Sequence, residues 1–166
     1  MRTSEFARPI WKRGDPPSPA RLEAPGGLVA ATSAALRRAG AAGREGLVLW
    51  AGRPDGGASV LISHLIEPEA EGDKDWLRVT VVARAEVLAL LRARDLLVVA
   101  DVHSHPFEAF LSPVDARHPY SARIGHVAVV VPDLGRGAGM DGWRAYEVGS
   151  DGWIERDLAK VIDARI

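Results

Sequence analysis

Within one stretch the chain carries Asp101-Val102-His103-Ser104-His105-Pro106 and, a short loop later, Ser112-Pro113-Val114-Asp115. Two histidines two apart on a strand project from one face, with Cα atoms about 6.6 Å apart. Imidazoles that close can converge on a single ion, and Asp115 offers a third ligand from within one loop. Such a set leaves a fourth position for water, which is what catalytic zinc requires and structural zinc lacks. An isolated His-x-His pair is more often two surface imidazoles, or one hydrogen-bonded core histidine. Three features weigh against that here. The pair closes the apolar run Leu96–Ala100, which reads as a buried strand, and α/β sheets place ligands at strand ends. Pro106 then stops the strand, and a carboxylate follows.

Ser112-Pro113-Val114-Asp115 also reads as a helix start, with Ser at the cap, Pro first and an acid at the third position. The two readings are compatible, because a helix start is a rigid platform for Asp115. Zinc hydrolysis further needs a general base beside the reacting water. Glu45, Glu67, Asp101 and Glu108 are the candidates. Glu45 and Glu67 stand level on the residues alone, each bordering an expected strand. Asp101 is expected on the opposite face from the histidine pair.

The elements that would carry these groups can be read along the chain. Residues 1–25 hold five of the eleven prolines and read as a loose arm, with a short edge strand near Phe6–Trp11. Residues 26–40 have helical apolar spacing and end on Arg37-Arg38 and Gly40. Strands over 45–52 and 58–66 flank the turn Arg53-Pro54-Asp55-Gly56-Gly57, a hairpin pattern. A polar loop, 67–75, leads to a third strand over 76–80 and a helix over 84–94. After the histidine strand come a short helix over 112–122, a buried strand over 126–131, a Gly-rich loop over 133–142 and a second hairpin. The pattern predicts an α/β domain over 26–166, a central mixed sheet flanked by helices. His64 and His126 are most simply core or edge histidines, and His118 a candidate neighbour of the metal set.

Composition narrows the classes. The 166 residues are 47% hydrophobic and 26% charged with a net charge of −1, an ordinary globular balance. That charge gives no footprint for nucleic acid or for a membrane surface. The basic N-terminus has no apolar segment behind it and no run approaches the ~20 residues of a membrane helix, so a cytoplasmic protein is expected.

The assembled residues resemble the JAMM (JAB/MPN) zinc metalloproteases, whose signature is an upstream Glu, His-x-His-Pro and then Ser-x-x-Asp. Glu45-Gly46-Leu47-Val48-Leu49-Trp50-Ala51-Gly52 looks like the Glu-bearing first strand of that family, and the likeness covers roughly residues 26–157. Nine residues separate His105 from Asp115, where the commonest pattern has ten. The likeness is greatest to bacterial members encoded beside ubiquitin-activating and ubiquitin-conjugating-like enzymes. The resemblance implies the cytidine-deaminase-like JAB/MPN fold and one Zn2+ per chain on His103, His105 and Asp115. It implies Glu45 as the base that activates the zinc-bound water, and Ser112 as a stabiliser of the oxyanion. The implied reaction is peptide or isopeptide cleavage after the C-terminal Gly of a ubiquitin-like protein, with that protein or its conjugate as substrate and the neighbouring conjugation enzymes as partners.

Other readings fare worse. Amidohydrolase barrels also use Asp-x-His-x-His but need a ~250-residue barrel, and only 51 residues follow Asp115. Zinc deaminases need Pro-Cys-x-x-Cys, which a chain without cysteine lacks. The remaining alternative is a non-catalytic MPN-like scaffold that binds partners. Such members usually lose ligands, and all four signature residues are present here.

Overall fold

Strand β2 (Leu47–Gly52) is apolar at every position except its terminal glycine, and it lies in the middle of the molecule for that reason. The computed structural model describes residues 21–53, 58–73 and 76–164. Ahead of β2 come β1 (Arg21–Ala24) and α1 (Leu28–Ala41). After it follow β3 (Ser59–Ile66), β4 (Ala70–Asp73), β5 (Trp76–Val79), α2 (Val81–Arg94) and β6 (Leu97–Ser104). The chain continues through α3 (Pro113–Arg117), β7 (Val127–Val131), β8 (Arg144–Gly149), β9 (Gly152–Arg156), α4 (Leu158–Val161) and β10 (Ile162–Ala164).

Eight strands form one sheet in the order β10-β1-β3-β2-β6-β7-β8-β9, and β4 and β5 form a separate antiparallel pair. The sheet is mixed: β6 runs parallel to β7, and β1 parallel to β3 and β10, while the other neighbours are antiparallel. Helices cover it, as the α/β reading expected. One face packs under α1, where Leu36, Val48, Trp50, Val102 and Val129 are fully buried. Trp50 Nε1 donates to Thr32 Oγ1 at 3.0 Å, so the largest core side chain also satisfies its one polar atom. The other face packs Leu49, Ala51 and Val98 under Val87 and Leu91 of α2.

Several elements differ from the sequence reading. Arg21–Ala24, expected in the arm, are a sheet strand whose partners lie at residues 59–61 and 162–164. The domain therefore starts at or before Arg21 rather than at residue 26. Residues 1–20, including the strand expected near Phe6–Trp11, lie outside the described residues, as do 54–57 of the first turn. Part of the expected polar loop is β4, and its pairing partner β5 does not join the main sheet. Helix α2 starts three residues early because Thr80 accepts a hydrogen bond from Ala83 N at 3.1 Å, a side-chain cap. Helix α3 is shorter than expected and ends at His118-Pro119. Gly40 lies inside α1 rather than beyond it. A Cβ there would stand 2.8 Å from Leu134 Cβ, so the glycine makes room for the loop that supports the site. Among the described residues no helix is long and apolar enough to cross a membrane.

Candidate metal centre and active site

The site forms where β6 leaves the sheet. Strand pairing with β7 runs to Ser104 opposite Val131, and His105 N still donates to Val131 O at 2.9 Å. The chain then turns at Pro106 into the loop carrying the third candidate ligand. That loop is anchored by Ala109, buried against Val130 and Tyr146. Its return is fixed by Asp133 and Leu134, whose N–H groups donate to Phe107 O and His105 O, each at 2.9 Å. Both residues adopt left-handed φ, 50° and 51°, a strained state for side-chain-bearing residues. The strain aims two consecutive donors at the loop, and Leu134 is held by packing over Gly40.

The structure brings His103, His105 and Asp115 together, with one potential ligand atom from each lying within 4.8 Å of the others. Asp115 Oδ2 is 3.3 Å from His105 Nε2 and 3.6 Å from His103 Nε2. Ligands of a tetrahedral zinc, each about 2.0–2.1 Å from the ion, stand about 3.3 Å from one another. His103 Nε2 is buried and has no hydrogen-bond partner. A buried polar atom left in that state is unusual, and a cation among the three ligands would satisfy it. The donor set, two imidazoles and a carboxylate without thiolate, suits zinc.

Asp115 is placed by α3. Ser112 Oγ accepts from Asp115 N at 3.1 Å, while Ser112 N donates to Asp115 Oδ2 at 2.9 Å. Capping and facing the histidines are thus done by one carboxylate oxygen. Because the Ser112 hydroxyl acts as an acceptor in the cap, its own proton remains available to another partner.

Glu45, Ser112, His105 and Asp115 line one cavity of about 230 Å³, with Phe107, Glu108 and Phe110 at its wall. Glu45 is 5% exposed. Its position follows from backbone contacts. Gly46 N donates to Ser104 Oγ, and Ser104 N donates to Gly46 O, both at 3.0 Å. Leu47 lies opposite His103 in the β2–β6 register. The serine between the two histidines therefore pins the strand start that carries Glu45. Glu67 goes elsewhere: it is exposed and ion-paired to Arg38 at 2.7 Å. Glu108 is exposed as well.

No family model matches the chain. It is 32% identical over 116 residues, 68% of its length and 71% of the relative's, to a Sinorhizobium fredii (strain NGR234) protein named "Probable metalloprotease y4jG". The chain belongs to the JAMM (JAB/MPN) metalloprotease family. The fold agrees. A JAB1/MPN domain protein from Archaeoglobus fulgidus, AF2198, superposes with a TM-score of 0.50 over 88% of this chain and 99% of that one, at 18% identity. Protein DSY2949 from Desulfitobacterium hafniense gives a TM-score of 0.63 over 87% and 92% of the two chains, at 16% identity.

In this JAMM chain the electrostatics of the site are set by burial against close charges. Burial raises the Asp115 carboxyl, but His103, His105 and the Ser112 cap overcome it and hold Asp115 well below the ordinary carboxylate range. Burial likewise opposes charge on His103, yet Asp101 and Asp115 on either side raise it to about 10 when no metal is bound. Asp101, buried but hydrogen-bonded to His103 and His126, falls to about 2.

Asp101 corrects one expectation. It lies on the same face as the pair, 3.3 Å from His103 Nδ1. Alternation requires this, since residues 101, 103 and 105 share parity along a strand. His126, read as a core or edge histidine, is fully buried and lies 2.6 Å from the other Asp101 oxygen. Only the parity of Asp101 was available from sequence; the partnership with His126 depends on β7 lying beside β6. His118 lines a crevice with His103, Asp115 and Tyr120, while His64, half-buried on β3, contacts Ser63 and Arg94.

Proposed function

We propose that this JAMM chain is a zinc-dependent peptidase or isopeptidase that cleaves after the C-terminal Gly of a ubiquitin-like protein. The observation that carries the reading is the single cavity shared by Glu45, Ser112 and two of the three candidate ligands. When bound by His103, His105 and Asp115, zinc supplies Lewis acidity, acidifying water and polarising the scissile carbonyl. Glu45 accepts the proton of the attacking water and delivers it to the departing amine. The Ser112 hydroxyl donates to the carbonyl oxygen as negative charge develops there.

Support for the substrate class comes from the resemblance to bacterial JAMM members encoded beside ubiquitin-conjugating-like enzymes and from the lining of the cavity. Phe107 and Phe110, 81% and 49% exposed at its wall, offer apolar contacts to an extended tail. The partners proposed with this substrate are ubiquitin-activating and ubiquitin-conjugating-like enzymes, and the working compartment is the cytoplasm.

Metal analysis of the purified chain is expected to find about one zinc per molecule, and His105→Ala to abolish it, because a chelate short of one of three protein ligands loses most of its affinity. The zinc-loaded chain should cleave ubiquitin-like proteins extended beyond their terminal Gly-Gly, and a chelator should stop it. Zinc uptake with no cleavage across a panel of such fusions would leave the metal centre standing and refute the substrate class.

A further inference from the structure

Behind the metal ligands, the same face of the sheet carries a line of buried polar side chains. Asp101 is 4% exposed, His103 6% and His126 fully buried. The Asp101 carboxylate is shared between the two imidazoles. Its Oδ2 lies 3.3 Å from His103 Nδ1 and its Oδ1 lies 2.6 Å from His126 Nε2. Both contacts are buried, where a carboxylate oxygen left without a donor is strongly disfavoured.

This arrangement leaves His103 one way to sit. An ionised carboxylate only accepts hydrogen bonds, so the hydrogen facing Asp101 must be carried by His103 Nδ1. The other nitrogen, Nε2, then points toward Asp115 and is the buried atom without a partner. His126 enters from the start of β7, the parallel neighbour of β6, with Val127 opposite Ala100. Its Nδ1 is buried and unpartnered too. The side-chain hydrogen bond of His126 is therefore the one to Asp101, and it fixes which way that carboxylate is turned.

We propose that Asp101 and His126 are positioning residues for the metal ligand His103: His126 holds one Asp101 oxygen, the other holds His103 Nδ1–H, and Nε2 is presented to the metal. The proposal rests on the metal-centre reading above. Carboxylate partners of ligating histidines fix the ring and raise its basicity, and losing them typically costs 10–100-fold in metal affinity. A merely structural polar cluster would change the stability of the metal-free chain and leave zinc affinity alone.

The test is the zinc dissociation constant of the full chain, measured by competition with a chromophoric chelator, with melting of each metal-free protein recorded alongside. Asp101→Asn keeps the shape but offers one acceptor oxygen, and is expected to weaken zinc binding about 10–100-fold. His126→Phe should weaken it about tenfold, and His126→Gln, whose amide nitrogen can still donate to Asp101, should recover most of that loss. Unchanged affinity in Asp101→Asn and His126→Phe would overturn the proposal, and failure of the glutamine to restore binding would remove His126 from it. A wild-type chain that takes up no zinc would instead overturn the metal centre, so the two failures read differently. Should the variants not fold, nitrogen NMR of the zinc-loaded wild type decides. His103 must show a slowly exchanging proton on Nδ1 and the metal on Nε2; the reverse assignment, or an unprotonated Nδ1, sinks the idea.

Discussion

Glu45 precedes β2 and Glu67 follows β3, so the two acids flank the same end of one antiparallel hairpin. Glu45 is buried on the cavity that holds His105, whereas Glu67 is half exposed and held by Arg38. The difference comes from what lies beside each strand. Strand β2 pairs directly with β6, and its first residue stands opposite His103. Strand β3 lies one strand further out, about 4.8 Å more distant per pairing step, and α1 covers its end with Arg38. Two acids that are equivalent by local sequence are thus separated by strand order, a property of the whole sheet.

The largest test of this contrast is Glu45→Gln. The amide keeps the shape and cannot take a proton, so kcat is expected to fall about 10²–10⁴-fold. Zinc content should stay at the wild-type level. Cleavage at wild-type rate would return the base to Glu67 or Glu108. Next in size is Ser112→Ala, which should lower kcat by about 10²–10³-fold if its hydroxyl meets the developing oxyanion. The same change removes the α3 cap, so a loss of ~1 kcal/mol in stability should accompany it. A thermal melt that moves while kcat does not would confine Ser112 to capping.

How much of this was legible follows the same division between local and global. His103, His105 and Asp115 were readable because a strand end, a proline and a helix cap are local signals. So was the β2–β3 hairpin, and the family resemblance extended that reading to Glu45. What escaped depends on distant pairing. Arg21–Ala24 is a short segment whose strand character comes from pairing with Ser59–Leu61 and Ile162–Ala164, and Ile162–Ala164 is a strand only against it. Ala70–Asp73 contains Ala, Glu, Gly and Asp, all poor strand formers, and becomes β4 only against β5. The shared Asp101 carboxylate needed β7 beside β6 before its second partner existed.

Gly46 is where α1 meets the Glu45 strand. A Cβ there would lie 3.0 Å from Ala39 Cβ and 3.1 Å from Leu36 Cα, so helix and strand must separate by a few tenths of an ångström to admit it. Gly46→Ala is expected to cost ~1–3 kcal/mol by overpacking, read as a lower denaturation midpoint. Because Gly46 also exchanges hydrogen bonds with Ser104, the shift should misplace Glu45 and lower kcat more than zinc content. Loss of stability with full kcat would show that the cavity tolerates a displaced strand start.

The smallest effect belongs to the other acid. Glu67 accepts from Arg38 Nη2 through both carboxylate oxygens, at 2.7 and 2.9 Å. Both side chains are at least half exposed, so water and salt screen the pair and it contributes only ~0–1 kcal/mol. Glu67→Ala should therefore leave kcat and zinc content unchanged and shift the melting temperature by a few degrees at most, less at high salt. Setting this variant beside Glu45→Gln measures the contrast itself. Comparable losses of cleavage from both would mean that strand order does not separate the two acids functionally, and the assignment of the base to Glu45 would fall with it.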